Sequence, residues 1–567
     1  MNIGVLGTGA ALAVAESQIA LTAADVDRIE ASGIGDVDMV LASDAAPLSE
    51  ISKHAIDQSI PHVTIEYGTL GGHTISDLEG AVSVFGANGP CFACLEQRIA
   101  STGASTEAAP TPPDTMERIL GAIAGKAVVD CIRGATATGI VYEFPYRERR
   151  LLPVPGCTCE PAGYTHWSQP TTGTARSVSD AIDAAEQSLD DHIGIVTEIG
   201  EAASRPLPYY LATLADTAAF SDASAPTHAA GVAEDWDRAF MKGIGEALER
   251  YAAGTYRESW FEQAHPDALA DSLPIDACVR PPEREPIEEP IAWVPGEQLI
   301  TGERCWLPAE LVVFPPNNSV IRPPITTGLA LGNTPAETLL GGLFEVIERD
   351  AAMLAWYSTY EPVAIDIDAA TYTDLTQRAA LEDLTVETVL LTQDIDVPVL
   401  GAFVYRDDPW PRFAAGSAAG FDPVATATDA VREALQNWIE LAEMGQENAS
   451  GDAQRIARYA VDTRSLGSFI SPDVRMPAAE IAVDTPDTPE QGVERLLSHI
   501  GDAGMTPTAA WVTPRDLRSM DFCAARVVIP EAQPLLMGTP YFGQRAEEVP
   551  QSMGFEPTLD IDPHPFP

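Results

Sequence analysis

Between Thr338 and Tyr357 the only charged residues are Glu345, Glu348, Arg349 and Asp350, set among Leu, Phe, Val, Ile, Met, Ala and Trp. A helix apolar on nearly every side is a buried helix. Carboxylates inside it cost several kcal/mol unless they are paired or hold a cation. Glu345 and Glu348 lie three residues apart, so they share a helix face and can share a ligand. The pattern recurs: Glu246-Ala-Leu-Glu249-Arg250 repeats Glu345-Val-Ile-Glu348-Arg349. A lone E-x-x-E in an acidic protein is ordinarily a solvated pair, but the apolar flanks and the repetition set these two apart. Mg²⁺ prefers carboxylate oxygens and completes its shell with waters and phosphate oxygens. Two such pairs facing each other describe a metal-phosphate site, the mark of an ATP-dependent enzyme. A third segment, with Glu433 and Gln436 at the same spacing, adds weaker support.

The wider composition excludes some partners. The formal charge is −51, with three lysines and thirty arginines. Nucleic acid is bound chiefly by neutralising phosphate with Lys and Arg, so no nucleic acid is expected. Acid-rich, lysine-poor surfaces stay hydrated where salt screens charge over ~3 Å at 1 M, which points to a salt-loving, haloarchaeal-type cytoplasm. A surface that docks a basic partner is the alternative. The N-terminus lacks basic residues ahead of its apolar stretch and no run reads as a membrane span, so a cytoplasmic protein with no membrane partner is expected. Eight cysteines in 567 residues are too sparse for a disulfide scaffold, and grouped ones suggest metal.

The fold class expected is α/β and α+β. Short apolar runs at Asn2–Leu6, Val37–Leu41 and His62–Glu66 alternate with helical patterns, suggesting a parallel βαβ sheet in residues 1–165. Ser101–Pro113 reads as an exposed loop. The pattern breaks between Gly163 and Gly173, and a second unit runs over 166–567. Pro281–Pro295 and Pro472–Pro489 read as surface excursions, and helical periodicity is clearest at 236–254, 335–357 and 424–444. No P-loop or kinase-like glycine loop is present, so any nucleotide needs an unusual fold.

Several stretches together resemble the YcaO family over roughly residues 170–567. They are Met241-Lys242-Gly-Ile-Gly-Glu246-Ala-Leu-Glu249-Arg250, Thr327-Gly-Leu-Ala-Leu-Gly-Asn333 with Glu337, the Glu345 to Asp350 segment, and the Glu433/Gln436 helix. The resemblance implies that Glu246, Glu249, Glu345 and Glu348 hold Mg²⁺, that Asn333 and Glu337 contact ATP, and that Arg349, Arg250 and Arg176 meet phosphate oxygens. Ion pairs with neighbouring glutamates are the plainer role for Arg250 and Arg349, and a solvated surface position for Arg176. Where many relatives carry Gly-Lys-Gly, this chain reads Ala230-Gly231-Val232-Ala233, leaving Lys242 as the nearest substitute. The ending Pro563-His-Pro565-Phe-Pro567 resembles the tail of azoline-forming members, which reaches into the active site. Polyproline geometry would deliver the Pro567 carboxylate at little entropic cost.

Cys91-Phe-Ala-Cys94 and Cys157-Thr-Cys159 supply four thiolates, enough for a structural Zn²⁺. The second pair is tighter than the usual spacing, so one ligand could instead come from elsewhere. A redox pair or merely buried thiols are the alternatives. Cys131, Cys278, Cys305 and Cys523 read as isolated core residues. Gly89-Pro-Cys91-Phe-Ala-Cys94-Leu-Glu-Gln-Arg98 resembles a reduced, Rossmann-like ThiF/E1-type docking domain, with Gly4-Val-Leu-Gly7-Thr-Gly9 as its first strand and turn. No intact adenylating motif is evident. The sequence begins at that first strand, so no leader-peptide reader is expected ahead of it and substrate docking is expected to need a separate protein.

The resemblance implies ATP-dependent cyclodehydration of Cys, Ser or Thr in a ribosomally made peptide, as in the biosynthesis of thiazole/oxazole-modified bacteriocins. Arg349 would act on phosphate and Pro567 as base. Thioamide formation with a sulfur-delivery protein and a non-catalytic docking role are the alternatives. The expected partners are a substrate peptide, a separate peptide-recognition or sulfur-delivery protein, and a second copy of the chain in a homodimer.

Overall fold

The computed structural model describes all residues except 77, 104–112, 135–137, 171–172 and 449–451. Most of the expected Ser101–Pro113 loop, and two residues of the Gly163–Gly173 break, therefore lie outside the described residues.

The N-terminal sheet has seven strands. In spatial order they are Asp25–Arg28, Asn2–Leu6, Met39–Ser43, His62–Tyr67, Gly80–Phe85, Ile140–Phe144 and Arg147–Arg150. The first four are parallel, as the βαβ pattern predicts, with the second run shifted from 37–41 to Met39–Ser43. The last three are antiparallel, a departure from the expectation of a parallel sheet. Here direct pairing replaces crossovers: Ile140–Phe144 and Arg147–Arg150 are joined by the two residues Pro145-Tyr146, too few for a helix.

Three antiparallel or mixed sheets follow and support the three helices the sequence singles out. Trp236–Gly254 packs on a three-stranded sheet, Val196–Ala203, Tyr209–Leu214 and His228–Val232. Pro335–Trp356 lies between Leu329–Gly332 and Cys523–Val528 of a six-stranded sheet and Phe413–Ala419 of a five-stranded one. Pro423–Met444 covers that five-stranded sheet. Each begins at an acceptor side chain (Asp235, Thr334 and Asp422) that caps a free backbone N–H, and Pro335 and Pro423 occupy first-turn positions where no N–H is missed.

The Pro281–Pro295 excursion is shorter than expected, because Ile291–Gln298 pairs into the six-stranded sheet. The other excursion, Pro472–Pro489, contains the short strand Arg475–Pro477. One hydrophobic core crosses the expected boundary near 165, running from Leu6, Cys94 and Val154 through Tyr251 to Phe522. Polar groups cross it too. Arg98 and Asp516, both fully buried, meet at 2.6 Å, and the Tyr251 hydroxyl donates to the same carboxylate oxygen. No helix among the described residues is long and apolar enough to cross a membrane.

Candidate functional site

The three helices converge on a cavity of about 1110 Å³ whose lining includes Glu246, Glu249, Glu345, Glu433, Gln436 and Asn333, with the cations Lys242, Arg250 and Arg349 and the last residue, Pro567. The glutamates are fixed in a common way. Each places one carboxylate oxygen on a backbone N–H of an adjoining strand or loop: Ala230 donates to Glu246 (2.9 Å), Leu331 to Glu249 (3.1 Å), Gly328 to Glu345 (2.9 Å) and Ser417 to Glu433 (2.5 Å). These charge-assisted bonds hold the carboxylate plane in place.

Helix and strand can approach this closely because glycines face the helices. A Cβ on Gly231 would lie 2.1 Å from the Gly243 nitrogen and 2.5 Å from the Ala239 oxygen. One on Gly416 would lie 2.3 Å from the Ala434 nitrogen.

Burial and crowding act on several of these carboxyls. Burial pushes the Glu249 carboxyl well above the ordinary carboxylate range, and the neighbouring Glu345 and Glu246 add to the rise. Glu345 is raised by burial against the opposing pull of Arg349. Glu348, also raised by burial, reaches about 7 despite Arg349.

Arg349 joins the parts. Its guanidinium donates to Glu433 (3.1 Å), to the Ser417 hydroxyl (3.4 Å) and to the Pro567 oxygen (3.4 Å), and lies 3.5 Å from Glu348. The tail is held along its length. Trp356 donates to the Asp562 carbonyl (2.9 Å), the Tyr459 hydroxyl to that of Pro563, and His564 and Phe566 are fully buried.

Several expected roles are placed differently. Glu348 is not in the cavity lining: it accepts the Ser417 hydroxyl at 2.6 Å behind Arg349. Among the described residues no three of the glutamates bring carboxylate oxygens within 4.8 Å of one another. Glu337 also lies off the lining and caps its helix, accepting the Asn333 N–H at 3.0 Å. Arg250 pairs with Glu246 and donates to the His228 carbonyl (3.1 Å), the plainer of its two expected roles. Lys242 is 3.9 Å from Asp429. Arg176 is not itself in the cavity lining: it donates to the Met520 carbonyl, pairs with Asp521 at 3.3 Å and stacks over Phe522, which does line the cavity.

Sequence reasoning missed Glu440, which lines the cavity and accepts from Gln436 (3.0 Å) and Tyr209 (3.5 Å). Its position, one turn beyond Gln436 on the same helix face, was the available signal. The Asn333 side-chain oxygen, on the cavity wall, is buried without a hydrogen-bond partner. It suits a donor such as the amino group of a nucleotide base.

The four cysteines gather in one place. Cys91, Cys94, Cys157 and Cys159 are buried and reduced, with sulfurs all within 4.8 Å of one another, so no ligand from elsewhere is required. The Val154 N–H donates to Cys94 and Arg515 to Cys159, both at 3.3 Å, as partners for negative thiolates. The cluster can bind a metal. Of the isolated cysteines, Cys278 and Cys523 are buried, whereas Cys131 and Cys305 are only half-buried.

Comparison with known proteins agrees with this architecture. A solved structure described as a heterocyclase in complex with substrate and cofactor superposes with a TM-score of 0.76 at 18% identity, over 100% of this chain and 85% of that one, a likeness of fold. An uncharacterized protein in the tfuA 3′ region of Rhizobium leguminosarum bv. trifolii is 27% identical over 35% of this chain and 51% of its own length. An uncharacterized protein of Methanothermobacter thermautotrophicus is 30% identical over 34% and 52%. The chain thus spans about half the length of the curated relatives it matches. The family model described as YcaO cyclodehydratase, ATP- and Mg²⁺-binding, matches residues 230–533, more than half of the sequence and the part that carries all three glutamate helices, and the chain therefore belongs to the YcaO family.

Proposed function

We propose that the protein is an ATP-dependent cyclodehydratase that converts Cys, Ser or Thr of a peptide to azolines. The carrying observation is that Pro567 lines the same cavity as the half-buried, crowded glutamates and is joined to Glu433 through Arg349. The side chain of the modified residue attacks the preceding amide carbonyl. The resulting oxyanion takes the γ-phosphoryl group of ATP and ADP leaves; loss of phosphate from carbon together with the proton of the former amide nitrogen then forms the C=N bond of the ring.

Glu246, Glu249 and Glu345 turn carboxylates toward the nucleotide. They suit Mg²⁺ because each presents a carboxylate to the cavity, and burial and crowding at Glu249 and Glu345 favour a nearby cation, with waters and phosphate oxygens completing its shell. Bound there, Mg²⁺ would neutralise charge on the phosphates. Arg349 orients the transferred group, Asn333 the base, and a carboxylate at Pro567 takes the proton from the attacking side chain. The residues 1–165 are a ThiF/E1-like docking unit whose Cys91, Cys94, Cys157 and Cys159 hold structural Zn²⁺, and 166–567 is the catalytic unit.

Isothermal titration of Glu345→Gln/Glu348→Gln should show Mg-ATP binding lost with the fold intact; retained affinity would sink the nucleotide site. A short extension after Pro567 should abolish product while sparing ATP binding. Product mass separates the chemistries, since azoline formation loses water and thioamidation exchanges oxygen for sulfur.

A further inference from the structure

A second cavity, of about 990 Å³, opens beside the Pro281–Pro290 segment and plays no part in the proposed chemistry. Its floor is apolar, with Ile287 and Ile291 packed against the core. Its rim is acidic: Glu283, Glu285, Glu288 and Glu289 are exposed along the segment, and the lining adds Glu258, which accepts from the Asn317 side chain, and Glu310, which accepts from the Val320 and Ile321 N–H groups. Among the described residues none of these six carboxylates is in an ion pair. The one cation in the lining, Arg284, is turned to the Ser319 carbonyl at 2.9 Å. The glutamate cavity, by contrast, carries Lys242, Arg250 and Arg349 among its acids. With six glutamates to one base, this lining is more acidic than the chain as a whole, which has 84 acidic and 33 basic residues.

The carboxylates do not converge as ligands of one ion. They are spread along a strap, which suits cations spaced along a chain with apolar side chains between them. An extended peptide meets that demand, rising ~3.3 Å per residue with alternate side chains to opposite faces. One stretch of chain contributes to both this groove and the glutamate cavity. Val313 and Val320 line the first, and Phe314 and Thr326, from the same stretch of chain, line the second.

We propose that this groove docks a cationic, partly apolar segment of the peptide substrate, holding it next to the site of modification. The inference rests on the peptide chemistry proposed above. Spaced Arg or Lys would meet the glutamate strap while Leu or Ile covers Ile287 and Ile291.

The test uses the full-length protein at fixed KCl and a fluorescein-labelled twelve-residue peptide of alternating Arg and Leu, read by fluorescence anisotropy. The quadruple variant Glu283→Gln, Glu285→Gln, Glu288→Gln, Glu289→Gln should weaken binding at least tenfold. A control replacing exposed Glu490, Glu494, Glu547 and Glu548 by Gln should change it less than twofold. Equal losses in both variants would mean a diffuse field, and no loss in the first would mean binding elsewhere; either overturns the proposal. Mg-ATP affinity is measured in parallel. Groove binding that survives when ATP binding or azoline product is absent would refute the proposed function and leave the docking site standing.

Discussion

Replacing Arg98 by Met tests whether the first unit is rigidly tied to the nucleotide site. Arg98 and Asp516 are each 0% exposed and 2.6 Å apart, and Arg98 lies over the rings of Phe220 (5.2 Å) and Tyr251 (5.8 Å). Without the guanidinium, Asp516 keeps only the Tyr251 hydroxyl and the Leu517 N–H (2.9 Å) as partners for a fully buried charge. Removing one member of a buried pair costs about 3–5 kcal/mol, which is roughly two to four powers of ten in a local opening equilibrium. The loss should fall on the three helices that meet there, Phe92–Ser101, Trp236–Gly254 and Arg515–Ser519. Native-state hydrogen exchange reads this directly, as reduced amide protection in those helices. Tyr251 follows Arg250 on the helix of Glu246 and Glu249, so Mg-ATP affinity should fall as well. Arg98→Met/Asp516→Asn removes both charges and should recover much of the protection, because a neutral pair leaves no orphaned ion. Protection reduced less than tenfold in the single variant, or a double variant no better than the single, would refute the reasoning.

Four further outcomes follow from the structure. Burial raises the Glu66 carboxyl from 4.5 to about 8, against the N–H groups of Gly71 and Gly72 and with Asp44 adding to the rise. The folded state then keeps a proton that the unfolded state releases, so stability falls as pH climbs from about 4.5 through about 8, and Glu66→Gln should raise the melting temperature at pH 8.5 far more than at pH 5. Gly416→Ala, which forces Phe413–Ala419 off the third helix, should weaken Mg-ATP binding at least tenfold by titration, whereas Gly200→Ala, with nothing within 4 Å, should not. Elemental analysis should find one zinc per chain, lost in Cys94→Ser and kept in Cys131→Ser. Circular dichroism should show the chain folding fully only in molar KCl; full folding in dilute buffer would end the salt-loving reading.

The three glutamate helices were legible because a carboxylate isolated in apolar sequence must be paired or hold a cation, and their observed spans differ from the periodicity by a residue or less. Helical period shows which residues share a face but not what stands across from it. Glu345 and Glu348 share a face, yet one reaches the Gly328 N–H at the cavity and the other the Ser417 hydroxyl behind Arg349. Glu337 sits in the first turn of its helix, where Thr334 caps its N–H and its own carboxylate holds the N–H of Asn333, a residue of the cavity wall. The cysteine group was legible as two pairs, while its closure depended on long-range folding that brings Cys94 and Cys159 to 3.4 Å. The antiparallel half of the first sheet and the core shared across residue 165 are tertiary facts that leave no periodic trace.

The glycines beneath the glutamate helices carry a consequence for how such a site can change. A carboxylate can be exchanged for another residue and restored by a later substitution, since its space remains. A methyl group gained at Gly231 or Gly416 displaces a whole helix, and no single change among its neighbours, the two nearest of which are backbone atoms in each case, gives the space back. The positions of least mutational tolerance should therefore include residues that touch no ligand, and the lineage's freedom to retune its chemistry is bounded by two absent side chains as much as by the acids that perform it.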